Sequence, residues 1–411
     1  MLIEISENLR NLSKKLPELY IVGGYVRNRL LEIDDSDIDI CGPMTIEELE
    51  KLLADTKYSV KVKSKSLGSA MITCGEESYE YTTFRKDTYA EGGNHLPVKV
   101  KFVTDISQDA KRRDFTCNAL YYDIKNDRIL DFYNGVDDIK NRILRTVETP
   151  DEVLSHDGLR ILRLFRFQCE LNFKIQKETL NAAFKYKKNL RDISGERVLF
   201  EITSILHSPS KYKKLSKPNS YMKALNNFNK GAIWPIFGID CAKIKFKMVK
   251  KVEHKSQGFL IDVIDTVHPI SISYYLNLIL TYSFKLNKKM VEQYIKILSG
   301  YYEALNKLEN KPYFFKYFDV FPSVCQLLSQ KSKYLANKYE FFYKYIIAHK
   351  LIVSIKDLAI SGDDLKKYYP TVKPERYRSI LESLLSDIFD GRIDNEKSQL
   401  VKAVEGKLKY L

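Results

Sequence analysis

The chain changes character at Thr149, and this change constrains the fold more than any other feature. Before about residue 145, short runs rich in β-branched and aromatic residues recur and alternate with helical stretches such as 46–53 (IEELEKLL). At the junction, Thr149 is a candidate N-cap, Pro150 stands at the first helical position, and Glu152 follows three residues after the cap. From Leu154 onward, apolar residues recur at helical spacing. The sequence therefore predicts an α+β head with a mixed β-sheet, followed by an all-helical remainder.

Within the helical remainder, interruptions in the apolar pattern predict three segments. A neck ends near Leu206, where the sequence HSPS breaks the pattern, and a body and a tail follow it. The predicted domains are a head over 1–147, a neck over 148–206, a body over 207–335 and a tail over 336–411. The body is predicted from helical periodicity alone.

Charge is distributed unevenly along the 411 residues, whose formal net charge is +14. Residues 1–150 hold 22 Lys and Arg against 26 Asp and Glu, whereas the remainder holds 45 against 27. An acidic head joined to a basic remainder predicts a polyanionic partner, most simply nucleic acid. A solvated, lysine-rich surface with no such partner is the alternative.

The six cysteines are scattered and form no CxxC pair, which is typical of buried thiols in a reducing compartment rather than of disulfides or a zinc site. No stretch has the composition of a signal peptide or a membrane span. Both observations predict a cytoplasmic protein with no membrane partner. Oligomeric state is not constrained by the sequence.

Residues 20–40 (YIVGGYVRNRLLEIDDSDIDI) are typical of a strand, a turn, a helix and a second strand. Gly23 and Gly24 would let the backbone approach phosphate oxygens closely, and Arg27 would follow in the first turn of the helix. The stretch therefore predicts an anion pocket. Taken alone, a GG turn occurs often without any function.

Asp37 and Asp39 are two residues apart on the second predicted strand, so their side chains should project to the same side. Paired carboxylates hold Mg²⁺ through oxygens at about 2.1 Å, and two such ions about 4 Å apart can serve a displacement at phosphorus. Glu80, on another predicted strand, is a possible third carboxylate or a plain exposed strand residue. Asp34 and Asp35 are interpreted as loop acids without a role.

The combination of a GG turn with a DxD strand resembles the nucleotidyltransferase superfamily, and later motifs narrow the resemblance. KRRDFTCNAL at 111–120 resembles the RRDFTxNA motif of the class II tRNA nucleotidyltransferase and bacterial poly(A) polymerase family. HDGLRILRLFRF and ISGERVLFEI are similar to that family's next motifs, and GDDL with LLSDIFDGRIDNEK resembles the tail of its CCA-adding members. The resemblance implies a polymerase-beta-like nucleotidyltransferase head and a tail that binds tRNA.

The resemblance also implies a ribose-binding group at Arg113, Asp114 and Asn118. These residues supply a forked donor, two acceptor oxygens and an amide, which suit vicinal hydroxyls. The alternative is an arginine–aspartate pair that only ties a helix to the sheet.

On the neck helix, Asp157, Arg160 and Arg163 are spaced by three and share a face. A carboxylate can accept from the exocyclic amine of cytosine or adenine while an arginine donates to the neighbouring ring acceptor. The resemblance implies that Asp157 and Arg160 read the base in this way, with Arg163 in support. An intrahelical salt bridge is the alternative.

Arg197 and Glu201 look like the family's brace for the base-reading helix and are assigned a supporting role. Three features depart from the common family pattern. Asn28 replaces an aspartate after the VR pair, His156 replaces a glutamate before Asp157, and the loop 91–97 lacks the arginine pair found in many CCA-adding members.

The predicted function is template-independent addition of CCA to tRNA 3′ ends from CTP and ATP, with Mg²⁺ as cofactor and the tRNA acceptor arm as partner. Three alternatives remain open. They are a partial enzyme that adds only CC or only A, a poly(A) polymerase, and a non-catalytic RNA-binding protein on the same fold.

Overall fold

The computed structural model describes residues 3–33, 37–90, 92–94, 96–239, 241, 243–251, 253, 255–269, 271–284, 286–305 and 315–408. Asp34 and Asp35, interpreted above as loop acids, lie outside these residues, as do Glu91 and His95 of the unusual loop. The described chain divides into two compact units. Unit 1 comprises 1–244 and 282–286, and unit 2 comprises 245–281 and 287–411. The finer division into head, neck, body and tail stays a prediction.

Unit 1 begins with a seven-stranded mixed sheet, as predicted for the head. In chain order its strands are β1 (Tyr20–Val22), β2 (Asp39–Gly42), β3 (Ser59–Ser64), β4 (Ser69–Cys74), β5 (Glu77–Thr83), β8 (Leu120–Asp123) and β9 (Arg128–Asp131). They are arranged in the order β3-β4-β5-β2-β1-β8-β9. β2 pairs with β5 in parallel, and every other adjacent pair is antiparallel. A separate antiparallel pair is formed by β6 (Arg85–Thr88) and β7 (Lys99–Phe102).

Five helices accompany this sheet, and their ends follow the sequence closely. They are α1 (Glu7–Lys15), α2 (Gly24–Leu30), α3 (Ile46–Leu53), α4 (Ile106–Lys111) and α5 (Gly135–Asn141). The Thr45 hydroxyl accepts from the Glu48 amide, and the Glu48 carboxylate accepts from the Thr45 amide, which closes a capping box at the start of α3. On one side of the sheet, buried apolar side chains from β1, β2 and β8 pack against α4: Val22, Cys41, Tyr121 and Ala110, together with Phe84.

The helical part of unit 1 begins where the sequence predicts. Thr149 caps α6 (Pro150–Ser155) by accepting from the Glu152 amide, with Pro150 in the first turn. The remaining helices are α7 (Leu159–Glu170), α8 (Lys177–Lys185), α9 (Gly195–Lys211) and α10 (Tyr221–Gly231). A short parallel pair, β10 (Ile143–Leu144) with β11 (Lys174–Ile175), lies between α5 and α8 in the chain.

The predicted interruption at HSPS is wrong. α9 continues to Lys211 with Pro209 inside it, although Pro209 has no amide hydrogen to donate within the helix. Buried Ser208 is held at this point by a hydrogen bond of 2.9 Å between its hydroxyl and that of Ser220.

Two strand predictions also need correction. The second strand begins at Asp39, so Asp37 precedes the sheet and strand alternation does not fix its direction. The strands Arg85–Thr88 and Arg128–Asp131 were missed, because both are short and rich in charged residues.

The described part of unit 2 is helical. Its helices there are Met248–Lys251, Lys255–Val267, Ile272–Leu278, Lys288–Leu305, Phe321–Ser329, Lys333–Ala348, Gly362–Tyr368, Tyr377–Phe389 and Lys397–Leu408. The last three share a hydrophobic core of buried leucines, isoleucines and a valine, which includes Leu365, Leu384 and Leu400. None of the helices in the described part of the chain is long and apolar enough to span a membrane. Among the described residues, no disulfide joins any of the cysteines.

Candidate active site

A cleft of about 390 Å³ in unit 1 brings most of the predicted site residues together. Nine of them line it: Gly23, Gly24, Arg27, Asp37, Asp39, Arg113, Asp114, Asn118 and Arg163. Seven further residues complete the lining: Tyr25, Arg112, Arg166, Phe167, Glu170, Lys211 and Tyr212. The groups predicted for metal, phosphate and ribose binding therefore surround one space, although they come from distant parts of the sequence.

Carboxylates crowd together at one side of the cleft. Asp39 is the first residue of β2, and the parallel pairing with β5 places Glu80 directly beside it. Although Asp39 is accessible to water, the protein atoms around its carboxyl and the charge of Glu80 raise the pKa of Asp39 to about 6, and Asp37 contributes to the same shift. Glu80 also accepts a hydrogen bond of 2.7 Å from Lys63 Nζ. Negative charge is thus concentrated where a cation would relieve it.

These carboxylates fit a divalent cation whose remaining ligands come from the substrate and from water. Within the described residues, no group of three or more His, Cys, Asp and Glu side chains is arranged to hold a metal by itself. Magnesium is commonly bound by one or two carboxylates together with substrate phosphates and water. Asp37 and Asp39, exposed at the cleft, supply two such carboxylates.

The glycine turn connects β1 to α2 and places backbone that carries no side chain at the cleft. Gly23 has a φ of +76°, a conformation that glycine adopts without strain. Its amide donates to the Leu120 carbonyl at 3.0 Å, which anchors the turn to β8. A Cβ at Gly23 would lie 3.6 Å from Arg113 Nη1, so the turn and the predicted ribose-binding arginine are close neighbours.

Arg27 is nearly fully buried and is held from three directions. Its Nε and Nη2 donate to Asn28 Oδ1 at 3.0 and 2.8 Å. Its Nη1 donates to Asn118 Oδ1, and Nη2 also lies 3.4 Å from the Tyr212 hydroxyl. The guanidinium therefore has a fixed place at the cleft wall.

The predicted ribose-binding residues form a connected network. Arg113 donates to the Tyr121 hydroxyl at 2.8 Å and to Asp109 at 3.1 Å, and Asn118 Nδ2 donates to Asp114 Oδ1 at 3.1 Å. Asp114 Oδ2 accepts two hydrogen bonds from Arg163, at 2.8 and 2.7 Å. Burial opposes ionisation of Asp114, but Arg163 and Asn118 prevail and lower its pKa to about 2. Asp114 therefore also ties α7 to the head, but through Arg163 and not through Arg113, which pairs with Asp109.

The predicted base readers Asp157 and Arg160 do not line the cleft. Asp157 Oδ1 accepts from the Leu159 amide at 2.9 Å, and its Oδ2 lies 3.4 Å from Arg160 Nε. Arg160 Nη2 donates to the Arg112 carbonyl at 2.6 Å. The two side chains thus contact each other, so base recognition by both would require this pair to open.

The departures from the family pattern have local structural consequences. His156 ends α6, lies 2.7 Å through Nδ1 from the Glu152 carbonyl oxygen, and stacks on Tyr89 with ring centroids 6.5 Å apart. In the loop that follows Tyr89, the Gly93 carbonyl accepts from the Gly158 amide at 2.9 Å. The loop therefore contacts the start of α7 through backbone atoms.

Glu201 and Arg197, predicted to support the neck helix, have different surroundings. Glu201 is buried and accepts from Arg166 Nε at 2.7 Å, which links α9 to α7. Arg197 is exposed, and in the part of the chain that the structure describes it forms no ion pair. The link between the two helices comes from Arg166, to which the sequence assigned no role.

Phe167 and Tyr212 were also missed by the sequence analysis. The Phe167 ring is approached by Arg27, Arg163 and Arg166, whose guanidinium carbons lie 5.3, 5.2 and 4.5 Å from its centroid. The alternation RLFRF is a signal that could have identified Phe167. Tyr212 follows α9 outside every motif, so no signal pointed to it.

Two protein-family models match parts of this chain. Residues 19–145 match the family model described as the poly A polymerase head domain. Residues 172–216 match the model described as a probable RNA and SrmB- binding site of polymerase A.

Two curated relatives and two solved structures extend the comparison. The chain is 40% identical over 193 residues to the CCA-adding enzyme of Streptococcus gordonii, covering 47% of each chain, and therefore spans about half the length of that relative. It is 27% identical over 405 residues to the CCA-adding enzyme of Staphylococcus aureus, covering 95% of this chain and 94% of the relative. The fold is similar to that of the Bacillus stearothermophilus CCA-adding enzyme in complex with CTP, with a TM-score of 0.72, 21% identity and coverage of 98% and 96%. The Thermotoga maritima CCA-adding enzyme complexed with tRNA gives a TM-score of 0.57, 18% identity and coverage of 98% and 96%.

Proposed function

The chain belongs to the nucleotidyltransferase family of CCA-adding enzymes and poly(A) polymerases, and we propose that it adds CCA to tRNA 3′ ends from CTP and ATP, releasing pyrophosphate. The observation that carries this proposal is the single cleft in which a glycine turn, a buried arginine and two carboxylates surround one space. This arrangement suits a nucleoside triphosphate whose α-phosphorus is attacked by a primer 3′ hydroxyl.

Each side of the cleft has its own task in this reaction. Gly23, Gly24 and Arg27 bind the triphosphate, and Arg113, Asp114 and Asn118 bind the ribose. The family implies a divalent metal, and Asp37 and Asp39 would hold Mg²⁺, which supplies charge neutralisation at the phosphates and activation of the attacking hydroxyl. Asp157 and Arg160 would select cytosine and adenine once their mutual contact opens.

The tRNA would be bound largely outside the cleft, through its backbone. The excess of basic residues after residue 150 suits phosphate contacts along the acceptor arm. The match of residues 172–216 to an RNA-binding family model supports the same assignment. The cytoplasmic location stays a prediction from cysteine usage.

The alignment with the S. aureus CCA-adding enzyme over nearly the whole of both chains favours tRNA over poly(A) synthesis. A partial activity, limited to CC or to A, remains the main competing proposal because the loop 91–97 departs from the family pattern. The presence of both Asp37 and Asp39 argues against a non-catalytic RNA-binding protein.

The test offers the purified protein three tRNA transcripts, which end at the discriminator base, at C and at CC, with labelled CTP or ATP and Mg²⁺. We expect growth to CCA and no further. Extension well beyond CCA with ATP alone would support poly(A) synthesis, and stopping at CC would identify a partial enzyme. No incorporation into any primer would overturn the enzymatic proposal. The double variant Asp37→Ala/Asp39→Ala measures the background.

A further inference from the structure

The arginines of the cleft differ in how their charge is balanced. Four of the five have a carboxylate partner: Arg112 and Arg113 pair with Asp109 at 2.8 and 3.1 Å, Arg163 pairs with Asp114 at 2.7 Å, and Arg166 pairs with Glu201 at 2.7 Å. Within the described residues, Arg27 has no carboxylate partner. All of its hydrogen-bond acceptors there are neutral: the side-chain oxygens of Asn28, Asn118 and Tyr212.

This lack of a counter-charge matters because Arg27 is only 3% exposed. A buried cation without an anionic partner is costly, and the cost is recovered when an anionic ligand arrives. Arg27 also lines the cleft, and its Nη2 would lie 3.6 Å from a Cβ at Gly24, so the guanidinium adjoins the glycine turn. The charge of Arg27 is therefore available to a ligand, whereas each of the other four arginines already has a carboxylate partner in the protein.

The partners of Arg27 hold it in place without cancelling its charge. Asn28 Oδ1 accepts from both Nε and Nη2, which fixes the plane of the guanidinium. Asn28 Nδ2 in turn donates to the Tyr212 hydroxyl at 3.1 Å, and that hydroxyl lies 3.4 Å from Arg27 Nη2. Both Asn28 and Tyr212 are buried. A carboxylate at position 28 could accept the same hydrogen bonds, but it would also neutralise the arginine.

We propose that Asn28 and Tyr212 are positioning residues that keep Arg27 both fixed and uncompensated, so that the triphosphate of the incoming nucleotide supplies its counter-charge. The amide at position 28 thus determines how strongly the cleft binds phosphate, independently of the base. This inference rests on the proposed function, because it takes a nucleoside triphosphate as the ligand.

The substitution Asn28→Asp tests the charge with almost no change in shape. Its carboxylate retains the acceptor for Arg27, and the Tyr212 hydroxyl can rotate to donate to it. We expect the apparent KM for CTP and for ATP to rise equally, by about tenfold, as one charge-assisted phosphate contact weakens. We expect kcat to change much less and the melting temperature to hold or rise, because a buried cation gains a counter-ion.

Two further variants separate charge from geometry. Tyr212→Phe removes the hydroxyl that contacts Asn28 and Arg27 but leaves the charge unchanged, so we expect a smaller rise in KM than for Asn28→Asp. Asn181→Asp adds the same negative charge at an exposed position of α8 and serves as the matched control, with no expected change in KM.

Binding of inorganic tripolyphosphate to the full chain, followed by calorimetry without divalent metal, separates failure of this inference from failure of the proposed function. We expect binding to the wild type, weakening of about tenfold in Asn28→Asp and no change in Asn181→Asp. Equal binding by wild type and Asn28→Asp would overturn this inference and leave the proposed function intact. A fall in melting temperature with unchanged KM would assign Asn28 a structural role only and overturn it as well. Failure of the wild type both to bind tripolyphosphate and to incorporate nucleotide would overturn the proposed function itself.

Discussion

The carboxylates on the two sides of the cleft have opposite pKa shifts. The strand side carries Asp39 on β2, and the helix side carries Asp114, which contacts Arg163 of α7. On the strand side, the protein atoms around the Asp39 carboxyl and the charge of Glu80 raise the pKa of Asp39 to about 6, although the residue is accessible to water. On the helix side, Asp114 is more deeply buried, yet Arg163 and Asn118 overcome that burial and lower its pKa to about 2. The Asp39 carboxyl lies near the like charges of Glu80 and Asp37, whereas the Asp114 carboxyl accepts hydrogen bonds from Arg163 and Asn118. The contrast suggests that the strand side is built to receive a cation, whereas Asp114 on the helix side ties α7 to the head in addition to its proposed place in the ribose site.

The largest effect should follow from Asp39→Asn, which changes the strand side alone. If Asp39 holds a catalytic metal, its loss removes several kcal/mol of transition-state stabilisation, and incorporation of CTP and ATP should fall by at least about a thousandfold. Stability should hold or rise slightly, because the substitution removes one of several like charges. Incorporation assays and thermal melting measure the two quantities.

Asp55→Asn is the matched control, because Asp55 is exposed in the turn after α3 and does not line the cleft. Its activity should equal that of the wild type. If Asp39→Asn instead unfolds the protein, the strand side is architectural and the contrast with Asp114 disappears.

The second substitution should differ from the first because it also costs stability. Asp114→Asn leaves Arg163 without its carboxylate, and because Asp114 is buried while the Arg163 side chain is 34% exposed, the loss should cost about 2 kcal/mol in the free energy of unfolding. The folded pKa of Asp114 lies below its ordinary value of 3.8, so its stabilising contribution is present above about pH 4 and is lost as the pH falls towards 2. Urea unfolding should therefore show that wild type and variant converge over this range.

Asp137→Asn provides the comparison with an exposed pair. Asp137 lies 3.3 Å from Lys140, and both side chains are about 70% exposed. Its loss should cost well under about 1 kcal/mol at any pH. A similar small cost for Asp114→Asn would show that the ion pair between head and α7 is not a structural support.

A third, smaller effect concerns the pair that stands outside the cleft. If Asp157 and Arg160 open to read the base, Arg160→Ala should reduce discrimination of CTP and ATP against UTP and GTP by about tenfold or more, the usual value of a bidentate contact. Misincorporation into tRNA primers measures this ratio. Lys185→Ala, which removes an exposed pair with Asp151, is the control and should leave selectivity unchanged. Unaltered selectivity in Arg160→Ala would leave the observed pair as a local salt bridge.

The sequence predicted the parts of this site that depend on short-range spacing. The capped helix at Thr149 and the glycine turn lie where the pattern places them, because both depend on neighbouring residues alone. The sequence did not reveal that Asp114 binds Arg163, since that contact joins residues 49 apart through the packing of α7 on the head. The contact of Tyr212 with Arg27 spans 185 residues and has no local pattern at all. Tertiary contacts of this kind decide which charges are balanced and which are available to a ligand.

The smallest expected effect tests Glu80, which adjoins Asp39 but also pairs with Lys63. If Glu80 contributes to metal binding, Glu80→Gln should raise the Mg²⁺ concentration for half-maximal activity by less than about tenfold, because Asp37 and Asp39 remain as ligands. Lys63→Gln breaks the same partly exposed pair from the other end, costs at most about 1 kcal/mol of stability, and should not weaken the metal dependence. Equal behaviour of the two variants would mean that Glu80 serves only the salt bridge with Lys63. Metal binding on the strand side would then depend on Asp37 and Asp39 alone. The negative charge of Glu80 would raise the pKa of Asp39 without contributing to metal binding.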